Sequence, residues 1–184
     1  MANDLTNGGP AAILLVDDEE MVRNLLSRAL RSDNHIVVTA GSKKEAFEQL
    51  SQTRFNLLIV DKNLPDGSGL SIVEGARNMG LDAEAIVITG YSDTDSAIQA
   101  VALGVFRYVR KPFDLDALRV DISRALETGR LRRALAQRTL ELERSNADLH
   151  DAISKARDAE NRRLQAERLR SLCLAFQSRL LREC

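Results

Sequence analysis

Five short apolar runs punctuate the first two-thirds of the chain. Residues 12–16 (AILLV), 35–39 (HIVVT), 56–60 (NLLIV), 85–89 (AIVIT) and 105–109 (VFRYV) predict strands. Three of them are nearly all apolar, as strands covered on both faces are. Between them, residues 19–31, 43–51, 70–79 and 94–103 carry apolar side chains at helical spacing. Ser42 and Glu45 fit a capping box at the start of the second helix. Asp114 can cap a fifth helix after Lys111-Pro112-Phe113. Strands alternating with helices predict an α/β fold, a doubly wound five-stranded parallel sheet covered on both faces. In such a sheet, ligands sit at the carboxyl ends of the strands, where strand order reverses.

Beyond residue 126 no strand pattern returns. Residues 128–180 are rich in Arg, Glu, Ala and Leu, lack Pro, and contain Gly129 as their one weak point. Leu135, Leu142, Leu149 and Ala156 recur every seventh residue, with Leu131, Ala152 and Ala159 on the companion positions. Arg138 and Ser145 interrupt the seam, and its phase slips near Arg163. A long C-terminal helix is expected, pairing with a second copy as a coiled coil. A single charged helix is the alternative. The expected organisation is a flexible stretch 1–11, an α/β domain 12–126 and a helical segment 127–184.

Charge sharpens this division. Up to Leu126 there are 13 Lys and Arg against 18 Asp and Glu, and from Glu127 onward 13 against 9, so a net charge of −1 hides an acidic front and a basic rear. The rear's basic residues are interleaved with acids, and no helix-turn-helix or aromatic platform accompanies them, so nucleic acid is not expected as a partner. His150 reads as an exposed helix residue and His35 as a structural one. Cys173 and Cys184 are the only cysteines. They suggest neither a metal site nor a disulfide framework, which fits a reducing compartment. No apolar run approaches the ~20 residues that span a bilayer. A cytoplasmic location with no membrane partner is expected.

The candidate chemistry lies at the strand ends. Asp17 and Asp18 follow the first strand and Asp61 follows the third. With strand order 2-1-3-4-5 these two strands are neighbours, and the three carboxylates converge on one crevice. Like charges at that range repel by several kcal/mol where partly desolvated. A hard divalent cation with oxygen ligands, such as Mg²⁺, relieves that repulsion. Thr89 closes the fourth strand and Lys111 follows the fifth, aiming a hydroxyl and an ammonium at the same crevice, as a bound phosphoryl group requires.

LLVDDE (14–19), LIVDKNLPDGSG (58–69), VITGY (87–91) and YVRKPF (108–113) together resemble the receiver domain of bacterial two-component response regulators, chemotaxis-regulator-like and flavodoxin-like in fold. The resemblance implies that Asp61 accepts a phosphoryl group from a histidine kinase or phosphotransfer protein. It implies Mg²⁺ held by Asp18, Asp61 and the backbone carbonyl of Asn63, with Asp17 acting through water. Thr89 and Lys111 would contact the phosphoryl oxygens, and Tyr108 would be the switch aromatic. Asn63 and Tyr91 would flank the phosphoryl group and slow its hydrolysis. Signalling would pass through the face of the fourth helix, fifth strand and fifth helix to a dimerising C-terminal helix. Residues 140–160 resemble the signalling helices that link receivers to downstream domains. The chain is therefore expected to be a phosphorylation-switched regulator and not itself an enzyme. The alternatives are an N-terminal regulatory fragment of a histidine kinase or diguanylate cyclase, and a scaffold that is not phosphorylated.

Overall fold

The computed structural model describes residues 10–90 and 94–180, with side chains throughout except at 94–97, 159 and 172–180. Residues 1–9 of the expected flexible stretch, Tyr91 and Cys184 lie outside the described residues, as does the side chain of Cys173. The elements run β1 (Ala12–Val16), α1 (Glu20–Ser32), β2 (Ile36–Ala40), α2 (Lys43–Gln52), β3 (Leu57–Asp61), β4 (Asn63–Leu64), β5 (Gly67–Ser68), α3 (Leu70–Asn78), β6 (Glu84–Thr89), α4 (Thr94–Ala102), β7 (Arg107–Arg110) and α5 (Leu115–Leu180).

β2, β1, β3, β6 and β7 form one sheet in that order, every pair parallel. Counted over these five strands the order is 2-1-3-4-5, as expected. Side-chain alternation splits the core in two. Leu14, Val16, Leu58, Val60, Ala85 and Val87 meet Ala46 and Leu50 of α2 and Ile72, Val73 and Ala76 of α3. Ile13, Leu15, Leu57, Ile59, Ile86 and Ile88 meet Leu26 and Leu30 of α1 and Leu118, Ile122 and Ala125 of α5. With apolar residues facing both layers, β1, β3 and β6 are buried and positioned from both sides.

The caps follow the sequence with one refinement. Ser42 Oγ accepts from the Glu45 N–H at 3.2 Å, while the Glu45 carboxylate reaches the N–H of Gly41 rather than that of Ser42, at 2.7 Å. Asp114 accepts from the Ala117 N–H at 2.8 Å and starts α5. The hairpin β4–β5, pairing Asn63 with Ser68 and Leu64 with Gly67, is a feature the apolar pattern does not announce. Its strands are two residues each, too short for periodicity to register.

His35 is half-buried ahead of β2, and its Nδ1 accepts from the Ala11 N–H at 3.4 Å. Burial pushes its pKa below the ordinary value, and the nearby Asp33 carboxylate only partly opposes this. The unfolded chain therefore takes up this proton more readily. The contribution of neutral His35 to stability is present above about pH 6.5 and is lost as the pH falls through that value toward the folded pKa. Urea titrations from pH 7.5 to 5 should show the wild-type midpoint falling more steeply than that of His35→Gln; parallel curves would refute this.

The chain divides into two units, parting between Arg133 and Ala134, later than the boundary at 126 expected from the sequence. α5 belongs to both, and no break occurs at Gly129. Among the described residues, no helix is long and apolar enough to cross a membrane.

Candidate functional site

β1 and β3 lie side by side and end together, Val16 opposite Val60. Asp17 follows β1 and is 1% exposed; Asp61 is the last residue of β3 and is 5% exposed. Carboxylates so enclosed require partners. Asp17 accepts from the Glu19 N–H at 2.8 Å through Oδ1, and Asp61 accepts from the Asn63 N–H at 2.8 Å through Oδ1. The same aspartate-to-N–H hydrogen bond, two residues on, thus fixes each carboxylate beyond its strand.

Lys111 ties the two together. It follows β7, its N–H donates to the Thr89 carbonyl at 2.6 Å, and its peptide to Pro112 is cis. The ammonium donates to Asp61 Oδ2 at 2.6 Å, Asp17 Oδ2 at 2.9 Å and Glu19 Oε1 at 2.8 Å. All three of its hydrogens are thereby engaged. Burial works against its charge, but the hydrogen bonds from Asp61, Glu19 and Asp17 prevail and hold its pKa above the ordinary lysine value. Burial also pushes the Asp17 carboxyl up, against the pull of Lys111 and the Glu19 N–H.

One oxygen each from Asp17, Glu19 and Asp61 lies within 4.8 Å of the other two. Three carboxylates against one ammonium leave an excess of negative charge. This all-oxygen set of donors fits a hard divalent cation such as Mg²⁺. Asp18, by contrast, is exposed and outside that trio, and Asn63 is exposed at the start of β4. Glu19 is the member that strand-end reasoning missed. Counted there as the first residue of a helix, it is instead the residue before α1, with extended backbone (φ −77°, ψ 107°). That conformation accompanies a side chain directed at Lys111. Its signal in the sequence was its place two residues after Asp17, matching Asn63 after Asp61.

Two further expected residues are described. Thr89 is fully buried at the carboxyl end of β6. Tyr108 on β7 is half-buried and packs against the α2–α3 side of the core, with its hydroxyl shielded from solvent. Gly69 lies tight against the end of β3. Its N–H donates to the Lys62 carbonyl at 2.7 Å, and a Cβ there would overlap the Asp61 carbonyl oxygen and meet Val60 Cγ1 at 2.6 Å.

Comparison with known proteins agrees with this geometry. The family described as response regulator receiver domain matches residues 13–123. The response regulator protein PilR of Pseudomonas aeruginosa is 39% identical over 113 residues, which are 61% of this chain and 25% of PilR. The chain thus spans about a quarter of the length of that curated relative. The response regulator TrrA of Thermotoga maritima, solved in complex with Mg²⁺ and BeF, is 31% identical with a TM-score of 0.57, covering 62% of this chain and 98% of TrrA. A CheY-like receiver domain protein of Methanospirillum hungatei shares the fold with a TM-score of 0.65 at 24% identity, covering 67% of this chain and 99% of that one.

Proposed function

The chain belongs to the response regulator receiver domain family, and on that premise we propose that Asp61 is its phosphoryl acceptor and that residues 134–180 form its dimerising output helix. The observation that carries the first part is the convergence of the buried Asp61 and Asp17 carboxylates on the Lys111 ammonium, at 2.6 and 2.9 Å, where β3 and β1 end.

An Asp61 oxygen attacks the phosphorus of a histidine kinase's or phosphotransfer protein's phosphohistidine in line. The new O–P bond forms as the P–N bond breaks, leaving an acyl phosphate and a histidine that takes up a proton. Lys111 turns from its carboxylates to a phosphoryl oxygen, and the Thr89 hydroxyl donates to another. Asp61, Asp18 and the Asn63 carbonyl, with Asp17 through water, would hold Mg²⁺, and Glu19 adds charge at the rim. The ion would neutralise charge on the transferring group. Because the Asp61 carboxylate gives up its own charge in forming the acyl phosphate, the net added charge is about one unit at neutral pH, and it biases the α4–β7–α5 face through Thr89 and Tyr108.

With Mg²⁺ and acetyl phosphate, intact-mass measurement should show one added phosphoryl group per chain. An unmodified wild-type chain would defeat the reading.

For the helix, the support is exposure in the single chain. Leu135, Leu142 and Leu149 sit at seven-residue intervals and are 70%, 58% and 57% exposed. A seam of that kind is covered by a second copy. Sedimentation should show a dimer for wild type and a monomer for Leu142→Asn/Leu149→Asn. A monomeric wild type at micromolar concentration would reject the pairing.

A further inference from the structure

α5 packs on the sheet through a stripe that tapers. Leu118, Ile122 and Ala125 are 1%, 2% and 0% exposed, and Gly129, next on the same face, is also buried. Side-chain size falls from Leu and Ile to Ala to Gly as the helix nears the amino end of β6. At Gly129 the fit is tight. A Cβ would stand 3.1 Å from Glu84 Cγ and 3.5 Å from Glu84 Oε1. Gly is a poor helix former, so its place within a continuous helix is explained by this approach and not by propensity.

Glu84 is an unexpected residue to find there. It opens β6, is 2% exposed, and pairs across the sheet with Leu57. Its carboxylate oxygen Oε1 meets Arg132 Nη1 at 2.9 Å, the one ion pair recorded for it among the described residues. Arg133 Nη1 donates to the carbonyl of Asp82, two residues before Glu84, at 3.0 Å. Oε1 makes no hydrogen bond among the described residues, so this ion pair is what compensates the buried carboxylate, and removing its cation is strongly disfavoured. Past Arg133 the apolar side chains described up to residue 171 are exposed, as Leu131 already is.

We propose that Glu84, Arg132 and Gly129 form a latch. It fixes residues 129–133 of α5 to the start of β6, and through it the state of the receiver governs the helix that follows. β6 is the strand that ends in Thr89, beside Asp61 and Lys111. One buried, fully paired strand therefore carries the phosphoryl-sensing hydroxyl at one end and the latch at the other, about 17 Å apart. A shift at Thr89 reaches Arg132 along it without passing through the α4–β7–α5 face. The latch itself needs nothing from the Asp61 reading; its control by phosphorylation rests on that reading.

Hydrogen exchange of the full chain, resolved by peptide, tests this with Glu84→Gln and Arg132→Gln. Arg132 has a half-exposed side chain, so its variant keeps the fold even where Glu84→Gln does not. In both variants, amides of residues 126–136 should exchange about tenfold faster than in wild type, with those of β1 and β3 unchanged. Equal exchange in 126–136, or equal acceleration in β1 and β3, would overturn the latch. Beryllofluoride with Mg²⁺ should alter exchange in 126–136 several-fold in wild type and leave the variants unresponsive. Protection of the Asp61 loop without any change in 126–136 would overturn the control. Absence of any beryllofluoride effect, with the basal difference intact, would support the latch and defeat the Asp61 reading instead.

Discussion

Replacing Asp61 with Asn is expected to reduce phosphoryl incorporation from acetyl phosphate to below about a thousandth of the wild-type rate, while the fold survives. The two carboxylate oxygens of Asp61 are divided between an N–H donor from Asn63 and the Lys111 ammonium. An amide oxygen can still accept from Asn63, so the end of β3 keeps its shape. The amide is no nucleophile toward phosphorus, so the chemistry is lost. The neighbouring carboxylates make the test severe. Asp17 is buried with Oδ1 engaged by the Glu19 N–H, but Glu19 is exposed and reaches the same ammonium. Mass spectrometry of acid-quenched samples should therefore find no residual phosphoryl group on either. A variant labelled as fast as wild type would remove Asp61 from its assigned role, whatever the family.

The second large effect concerns Lys111. Lys111→Met removes the cation that faces Asp17, Glu19 and Asp61. Two of those carboxylates are enclosed, and breaking such a pairing from one side costs about 3 kcal/mol. That loss should appear as a lower urea midpoint at pH 7 in buffer without Mg²⁺. Two treatments should restore part of it. Mg²⁺ at ten times its dissociation constant adds about 1.4 kcal/mol by mass action. Lowering the pH also helps, because burial already raises the Asp17 pKa and the loss of Lys111 removes the main influence lowering it. A carboxyl whose folded pKa lies above its unfolded value contributes stability at low pH that disappears as the pH rises through the folded pKa. The deficit of the variant relative to wild type should accordingly shrink as the pH is lowered from 7, with His35 acting equally in both chains. A midpoint equal to that of wild type at pH 7 without Mg²⁺ would show that the ammonium is not what compensates the cluster.

The parts of this molecule that were legible in its sequence are those governed by short-range regularity. Alternating faces of β1, β3 and β6 each meet a helical layer, so their unbroken apolar runs announce doubly covered strands. The polar residues that end these runs mark the crevice, since strands that stop together bring their next residues together. Asp17, Asp61 and Lys111 meet there and Thr89 ends β6 beside Lys111, whereas Asp18, expected by the same reasoning, lies outside the carboxylate trio. What escaped depends on local backbone conformation or on distant pairing. Glu19 turns toward Lys111 because it precedes α1 instead of beginning it, a one-residue difference that a helical pattern cannot resolve. Glu84 gave no sign at all. An acidic residue before an apolar strand reads as a solvated strand start, and only the passage of α5 beside it makes it a buried partner of Arg132. For the same reason Gly129 looked like the place where the helix weakens. It is a place where the helix lies tight against the start of β6.

Gly69 places a different kind of constraint on the site. The acidic and basic groups around Asp61 can be exchanged in the laboratory, each with a graded penalty, because a side chain that changes its charge still occupies its own space. At Gly69 the space is already filled by the carbonyl oxygen of Asp61 and the side chain of Val60. Any of the other amino acids would have to displace the acceptor's own backbone. The position is thus all-or-none under mutation. In a saturation library selected for signalling, the sharpest boundary between living and dead variants should fall on a residue with no side chain, no charge and no part in the reaction.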